Sequence, residues 1–87
     1  MKRIIEAQEV AGEGLEKFIG ERITLYCQIY IYTGKLVGVN ADFVLLEDAS
    51  VVYETGGYDA KEWADAQKLP NDWYVTKQSI ESFGRLK

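Results

Sequence analysis

From Ile23 onward the hydrophobic period of the chain changes from helical to two, and that change limits it to a small β architecture. Ile23, Leu25, Cys27, Ile29 and Ile31 alternate with Thr24, Tyr26, Gln28, Tyr30 and Tyr32, so an extended segment from Arg22 to Tyr32 has one aliphatic and one largely tyrosine face. Three short runs follow, Leu36 to Val39, Phe43 to Leu46 and Val51 to Tyr53, rich in β-branched, aliphatic or aromatic residues and separated by Gly, Asn and Asp. Trp73 to Thr76 and Ile80 to Phe83 read as two closing strands around Lys77-Gln78-Ser79.

Ahead of the strands, Ala11, Leu15, Phe18 and Ile19 stand at i, i+4, i+7 and i+8 with Glu13, Glu16 and Lys17 between them. This spacing predicts a short amphipathic helix over about Glu13 to Ile19, ended by Gly20. Lys2 to Val10 reads equally as an extended arm or a frayed extra turn. Between Thr55 and Asn71 the period breaks, and Asp59 to Lys68 reads as an exposed helical turn or two between Gly56-Gly57 and Pro70-Asn71-Asp72. The expectation is one mainly-β domain over 1–87. It has an arm and helix at 1–20, a barrel at 21–54 and 72–84, and an insertion at 55–71 before strand four.

At 87 residues a hydrophobic core is only just sufficient, so support from oligomerisation is expected. Cys27 is the single cysteine, which rules out an intrachain disulfide and a cysteine zinc cluster; on the aliphatic face it reads as a small buried hydrophobe. Histidine is absent, removing the commonest general base and metal ligand, so no enzymatic role, metal or cofactor is expected. Glu6, Gln8 and Glu9 interrupt the first apolar residues too early for a signal core or membrane span, and the chain reads as cytoplasmic. A formal charge of −4 opposes nonspecific nucleic-acid binding and requires any such contact to be local. Arg85 and Lys87 with Lys77 form the one basic cluster.

Three stretches resemble the Sm/LSm family. Leu15 to Leu25 looks like its entry, an amphipathic helix ending at a glycine two residues before strand one. Tyr32 to Asp48, with Gly38 in strand two, Asn40 at its end and an apolar Phe43-Val44-Leu45-Leu46, looks like the first Sm motif. Val75-Thr76-Lys77-Gln78-Ser79-Ile80 resembles the second motif in its bacterial, Hfq-like form. The resemblance implies a five-stranded, strongly bent Sm-like (SH3-type) barrel. Trp73, Tyr74, Val75 and Thr76 of one subunit would pair with Ile80, Glu81, Ser82 and Phe83 of the next, closing a homo-oligomeric ring of about five to seven subunits. The family turns between strands one and two near the position of Gln28-Ile29, which are poor turn residues; Thr33-Gly34 is the alternative place for that hairpin.

By position, the family's RNA contacts fall on Asn40, Ala41 and Asp42 in one loop and on Thr76, Lys77 and Gln78 in another. Lys77 would contact phosphate, and Asn40 and Gln78 base edges, in single-stranded RNA or DNA. Where the bacterial branch has an aromatic, this chain has Asp42, which offers no π surface and repels phosphate. Tyr26, Tyr30 and Tyr32 are a second candidate stacking surface, or else an outer face packed under the insertion. The competing function is an acidic adaptor that binds protein through the insertion and the tyrosine face. Glu47-Asp48 and Asp59, Glu62 and Asp65 read as solubility charges, and Trp63 and Trp73 as pins holding the insertion.

Overall fold

A computed structural model describes residues 14–87, of which 54% is strand. The expected arm over Lys2 to Val10, and the start of the helix at Ala11 and Glu13, lie outside the described residues. The strands are β1 (Arg22–Cys27), β2 (Ile31–Val39), β3 (Phe43–Glu54), β4 (Asp65–Lys68), β5 (Trp73–Thr76) and β6 (Ile80–Gly84). They form one antiparallel sheet in the order β4-β3-β2-β1-β6, with β5 attached to β3 as well. The mainly-β expectation holds. The sheet is not closed into a barrel: among the described residues β6 pairs only with β1, and β5 only with β3.

β3 organises the molecule. Its first half, Phe43 to Leu46, pairs with β5, and its second half, Ser50 to Glu54, pairs with β4. Between the halves the strand bends at Asp48, whose φ of 53 lies in the left-handed region. Arg22 and Lys68 hold the Asp48 carboxylate from both sides, at 3.0 and 2.8 Å, and keep its pKa below the usual carboxylate value, Lys68 contributing most. Gly34 of β2 faces this bend, and a Cβ there would come within 3.1 Å of both the Ala49 Cα and the Leu46 Cβ.

The core lies on one face, where Ile23, Leu25, Leu36, Val44, Leu46, Ala49 and Val75 form a single cluster. Leu46 lies opposite Leu36 on one side and Trp73 on the other, which ties β2, β3 and β5 together. On the opposite face Thr24, Thr33 and Ser50 fall in one cross-strand row, with both threonines buried. There the Thr33 hydroxyl donates to the Ile23 carbonyl at 3.1 Å. Ser50 and Thr33 share a pocket of about 570 Å³ with residues 61–66, so the segment after β3 folds back over this outer face.

Four local expectations are corrected. The N-terminal helix is a 3-10 helix, Gly14–Phe18, rather than an α-helix. At three residues per turn its apolar stripe is Leu15 and Phe18, which pack on the core, while Ile19 is left 50% exposed. The single strand expected over Arg22 to Tyr32 is two strands joined at Gln28-Ile29, where the Cys27 N–H donates to the Tyr30 carbonyl at 3.0 Å. Thr33 and Gly34 lie inside β2, so the alternative hairpin place is excluded. The turn has no positive φ and no turn-forming residue. It is fixed by the ladders around it and by the Gln28 N–H donating to the Ser79 carbonyl at 2.9 Å, so Ile29 sits at its tip 84% exposed.

The last two corrections concern the insertion. Asp65–Lys68 is a strand rather than part of a helical turn, giving six strands instead of five. The second half of β3 offers this segment a row of backbone partners, and Pro70 biases Leu69 toward extended backbone. Leu69 continues the pairing, its N–H donating to the Ala49 carbonyl at 2.8 Å.

Candidate nucleic-acid interface and strand edges

The two loops singled out in the sequence are neighbours. The Lys77 N–H donates to the Asp42 carbonyl at 2.9 Å, which fixes the β2–β3 turn to the 3-10 turn Lys77–Ser79 that joins β5 to β6. Asn40, Ala41, Asp42, Thr76 and Gln78 border that bond, and Lys77 is half-buried. The Asn40 side-chain oxygen accepts from the backbone N–H groups of Asp42 and Phe43, each at 2.8 Å, so it serves as the cap of its own turn. The acceptor expected to read a base edge is thereby committed inside the protein.

Tyr26 parts from the other two tyrosines. Reversal of the chain at Gln28-Ile29 shifts the parity of everything after it. Tyr32 lies opposite Leu25 and turns toward the core, whereas Tyr26 lies opposite Ile31 on the outer face. Tyr30 sits at the hairpin and meets Tyr32 edge-on at 6.3 Å between ring centroids. Burial pushes the Tyr32 hydroxyl above its ordinary pKa. Trp73 belongs to the inner face, while Trp63 lines the outer pocket, so the two tryptophans hold different parts of the chain.

An exposed aromatic pair escapes the sequence reading. Phe43 and Tyr74, 42% and 65% exposed, meet edge-on at 6.1 Å across β3 and β5, immediately beside the joined loops. Each stands one residue out of step with its buried neighbours Val44 and Val75, a parity the sequence contains, but both occur in runs apolar enough to read as core.

The basic cluster is dispersed. Arg85 pairs with Glu21 at 2.8 Å and lies 5.9 Å from the Phe18 ring centroid. The Lys87 ammonium is taken up by backbone carbonyls of the 55–62 segment. Only Lys77 of the three stands at the joined loops. Cys27 is half-buried against the core, and burial raises its thiol pKa, consistent with a packing role.

On the outer face the Tyr26 hydroxyl donates to that of Tyr58 at 3.4 Å, anchoring the insertion to β1. This bond, then burial, then repulsion from Tyr58, push the Tyr26 pKa from 10.0 up to about 12. A folded-state value above the unfolded one means that the contribution is fully present below about pH 10 and is lost as pH rises through about 12. Titration of tyrosinate absorbance should therefore show a late step that Tyr26→Phe removes; an unchanged curve in that variant contradicts the assignment.

The edges of the sheet are the remaining feature. Among the described residues β5 and β6 each carry one unpaired side, and most of their residues are exposed, including Trp73 at 38%, Tyr74 at 65% and Phe83 at 40%. No helix among the described residues is long and apolar enough to cross a membrane.

No family model and no curated protein matches the sequence. Among solved structures, the chain is similar to one chain in the crystal structure of the NatC complex bound to Gag peptide and CoA. The TM-score is 0.58 and the identity 21%, over 80% of this chain and 87% of that one. At that identity the likeness is one of fold, and it shows that the described architecture recurs in a solved protein.

Proposed function

We propose that the protein is a non-catalytic, Sm-like assembly module. In this reading β5 of one copy pairs with β6 of the next to close a homo-oligomeric ring, and the joined loops 40–42 and 76–78 contact single-stranded nucleic acid. The observation that carries the ring is the pair of free edges on β5 and β6, with Trp73 and Tyr74 exposed on the first and Phe83 on the second, joined only by the turn Lys77–Ser79. Unpaired strand edges are templates for another strand, and cyclic pairing of β5 with β6 removes these two. The barrel closure that the single chain does not make is then completed between neighbours.

The nucleic-acid contact rests on Lys77 for phosphate, Gln78 for base edges, and Phe43 with Tyr74 as stacking surface in place of the aromatic that Asp42 replaces. A second reading, an acidic adaptor for protein partners, is favoured by specific observations. The Asn40 acceptor is internally bound, Arg85 and Lys87 are engaged elsewhere, and the net charge is −4. The similar chain, itself found in a multi-protein complex, is compatible with either.

Light scattering tests assembly: the expected mass is a several-fold multiple of 9.9 kDa, and a monomer removes the ring. Titration with short oligo-U and oligo-A strands separates the two functions. Binding that weakens with salt supports the nucleic-acid reading, and Lys77→Ala should lower the log–log salt slope by about 0.7 by removing one phosphate partner. An assembled protein that binds neither strand at low salt leaves the adaptor.

A further inference from the structure

Lys87 carries a group that ordinarily stays in water, yet the chain has built a receptor around it. Its Nζ donates to the carbonyl oxygens of Thr55 at 2.7 Å, Gly57 at 2.9 Å and Glu62 at 3.1 Å, and lies 4.7 Å from the centroid of the Trp63 ring. An ammonium has three N–H donors and no acceptor, so three carbonyls meet its whole hydrogen-bonding capacity. The indole face adds cation–π attraction to the same charge.

All four groups belong to the stretch between the end of β3 at Glu54 and the start of β4 at Asp65, and none of them takes part in the strand ladders. Their convergence needs explaining. The Gly57 carbonyl is held in part by its own turn, accepting the Ala60 N–H at 3.0 Å, but three carbonyl dipoles aimed at one point still repel one another unless a cation stands there, and Gly56 supplies the left-handed turn, at φ 70, between two of them. The segment also carries the side wall of the outer pocket, where Trp63, Lys87, Thr33 and Ser50 meet, and Tyr58 ties its tip to Tyr26.

We infer that residues 55–63 form a binding site for a primary alkylammonium group, filled in cis by Lys87, and that its occupancy adds a second tie, beside the Tyr26–Tyr58 bond, holding the segment over the outer face of the sheet. Selectivity follows from the donor set. A quaternary ammonium has no N–H to offer the carbonyls, and an alcohol has neither the charge nor the three donors. The inference is independent of the ring and of nucleic-acid binding, because the site uses neither the joined loops nor the β5 and β6 edges.

Chemical rescue tests it. Lys87→Ala removes the ammonium, and the two tryptophans can be followed by fluorine resonance after 5-fluorotryptophan labelling, with Trp63→Phe giving the assignment. The expected result is a shifted or broadened Trp63 signal beside an unchanged Trp73 signal. n-Butylammonium should restore it in a saturable titration, the signal returning toward its wild-type position. n-Butanol and tetramethylammonium should restore nothing. An unchanged Trp63 signal in Lys87→Ala, failure of n-butylammonium, or equal rescue by n-butanol each overturns the inference. If the variant does not fold, lysine Nζ spectra of the wild-type protein decide: one ammonium should exchange its protons roughly tenfold more slowly than the others, because all three of its donors are hydrogen-bonded, and uniform exchange overturns the site.

Discussion

Gly34→Val is expected to lower the unfolding free energy by about 2–3 kcal/mol, the upper part of the range for forcing atoms into a packed interior. The added Cβ would meet the Ala49 Cα and Leu46 Cβ at 3.1 Å and the Glu47 carbonyl oxygen at 3.2 Å. None of the three is the far end of a flexible side chain. Each lies at the bend of β3, where Asp48 already holds a left-handed backbone and is tied to Arg22 and Lys68, so the bend has little room to retreat. Gly34→Ala should act in the same direction with a smaller effect, because it lacks the valine methyl groups. Urea denaturation at fixed protein concentration measures both. A Gly34→Val protein within about 0.5 kcal/mol of wild type, the range of ordinary surface changes, would show that β2 and β3 can separate without loss.

The second large effect belongs to Leu46. The residue is fully buried in the central cluster. Truncation to alanine forfeits the transfer free energy of its side chain and leaves a cavity, together about 3 kcal/mol. Collapse around that cavity is restricted, since the neighbouring backbone is held on both sides by ladders to β2 and β5. In a domain whose total stability is on the order of 5–15 kcal/mol, such a loss moves a thermal midpoint by many degrees. Ile29→Ala is the matched control, because Ile29 is 84% exposed and should change stability by no more than about 0.5 kcal/mol. Equal effects at the two positions would contradict the assignment of the core to one face of the sheet.

What the residues reveal is the alternation, and what they conceal is where it reverses. Ile23, Leu25, Val44, Leu46 and Val75 all occupy the buried face that their period implies. Gln28-Ile29 gives no sign of a hairpin because the turn there is imposed by long-range pairing, including a bond from the Gln28 N–H to the Ser79 carbonyl that local propensity cannot express. Tyr26, Tyr30 and Tyr32 share a face in the sequence, and that one concealed reversal separates Tyr26 from the other two in the fold. Ile19 departs from its helical spacing because five residues wind as a 3-10 helix, whose stripe falls on Leu15 and Phe18 alone. Asp59 to Lys68 has helix-forming composition, but the free side of β3 supplies partners that outweigh it over Asp65–Lys68. The joined loops are legible as two separate segments, and their bond through Asp42 and Lys77 emerges only with the fold.

The division of β3 between two partners has a consequence for how the molecule can be altered. Ser50 to Glu54 serves β4 and the excursion that precedes it, while Phe43 to Leu46 serves β5 and the turns at its end. Leu69 to Asp72 separates the two neighbourhoods, with Asp48 as the corresponding break in β3 itself. The outer excursion is therefore a module in the engineering sense. Its length and sequence can be rewritten, or another segment grafted between Glu54 and Asp65, without changing the register on which the other half of the strand depends.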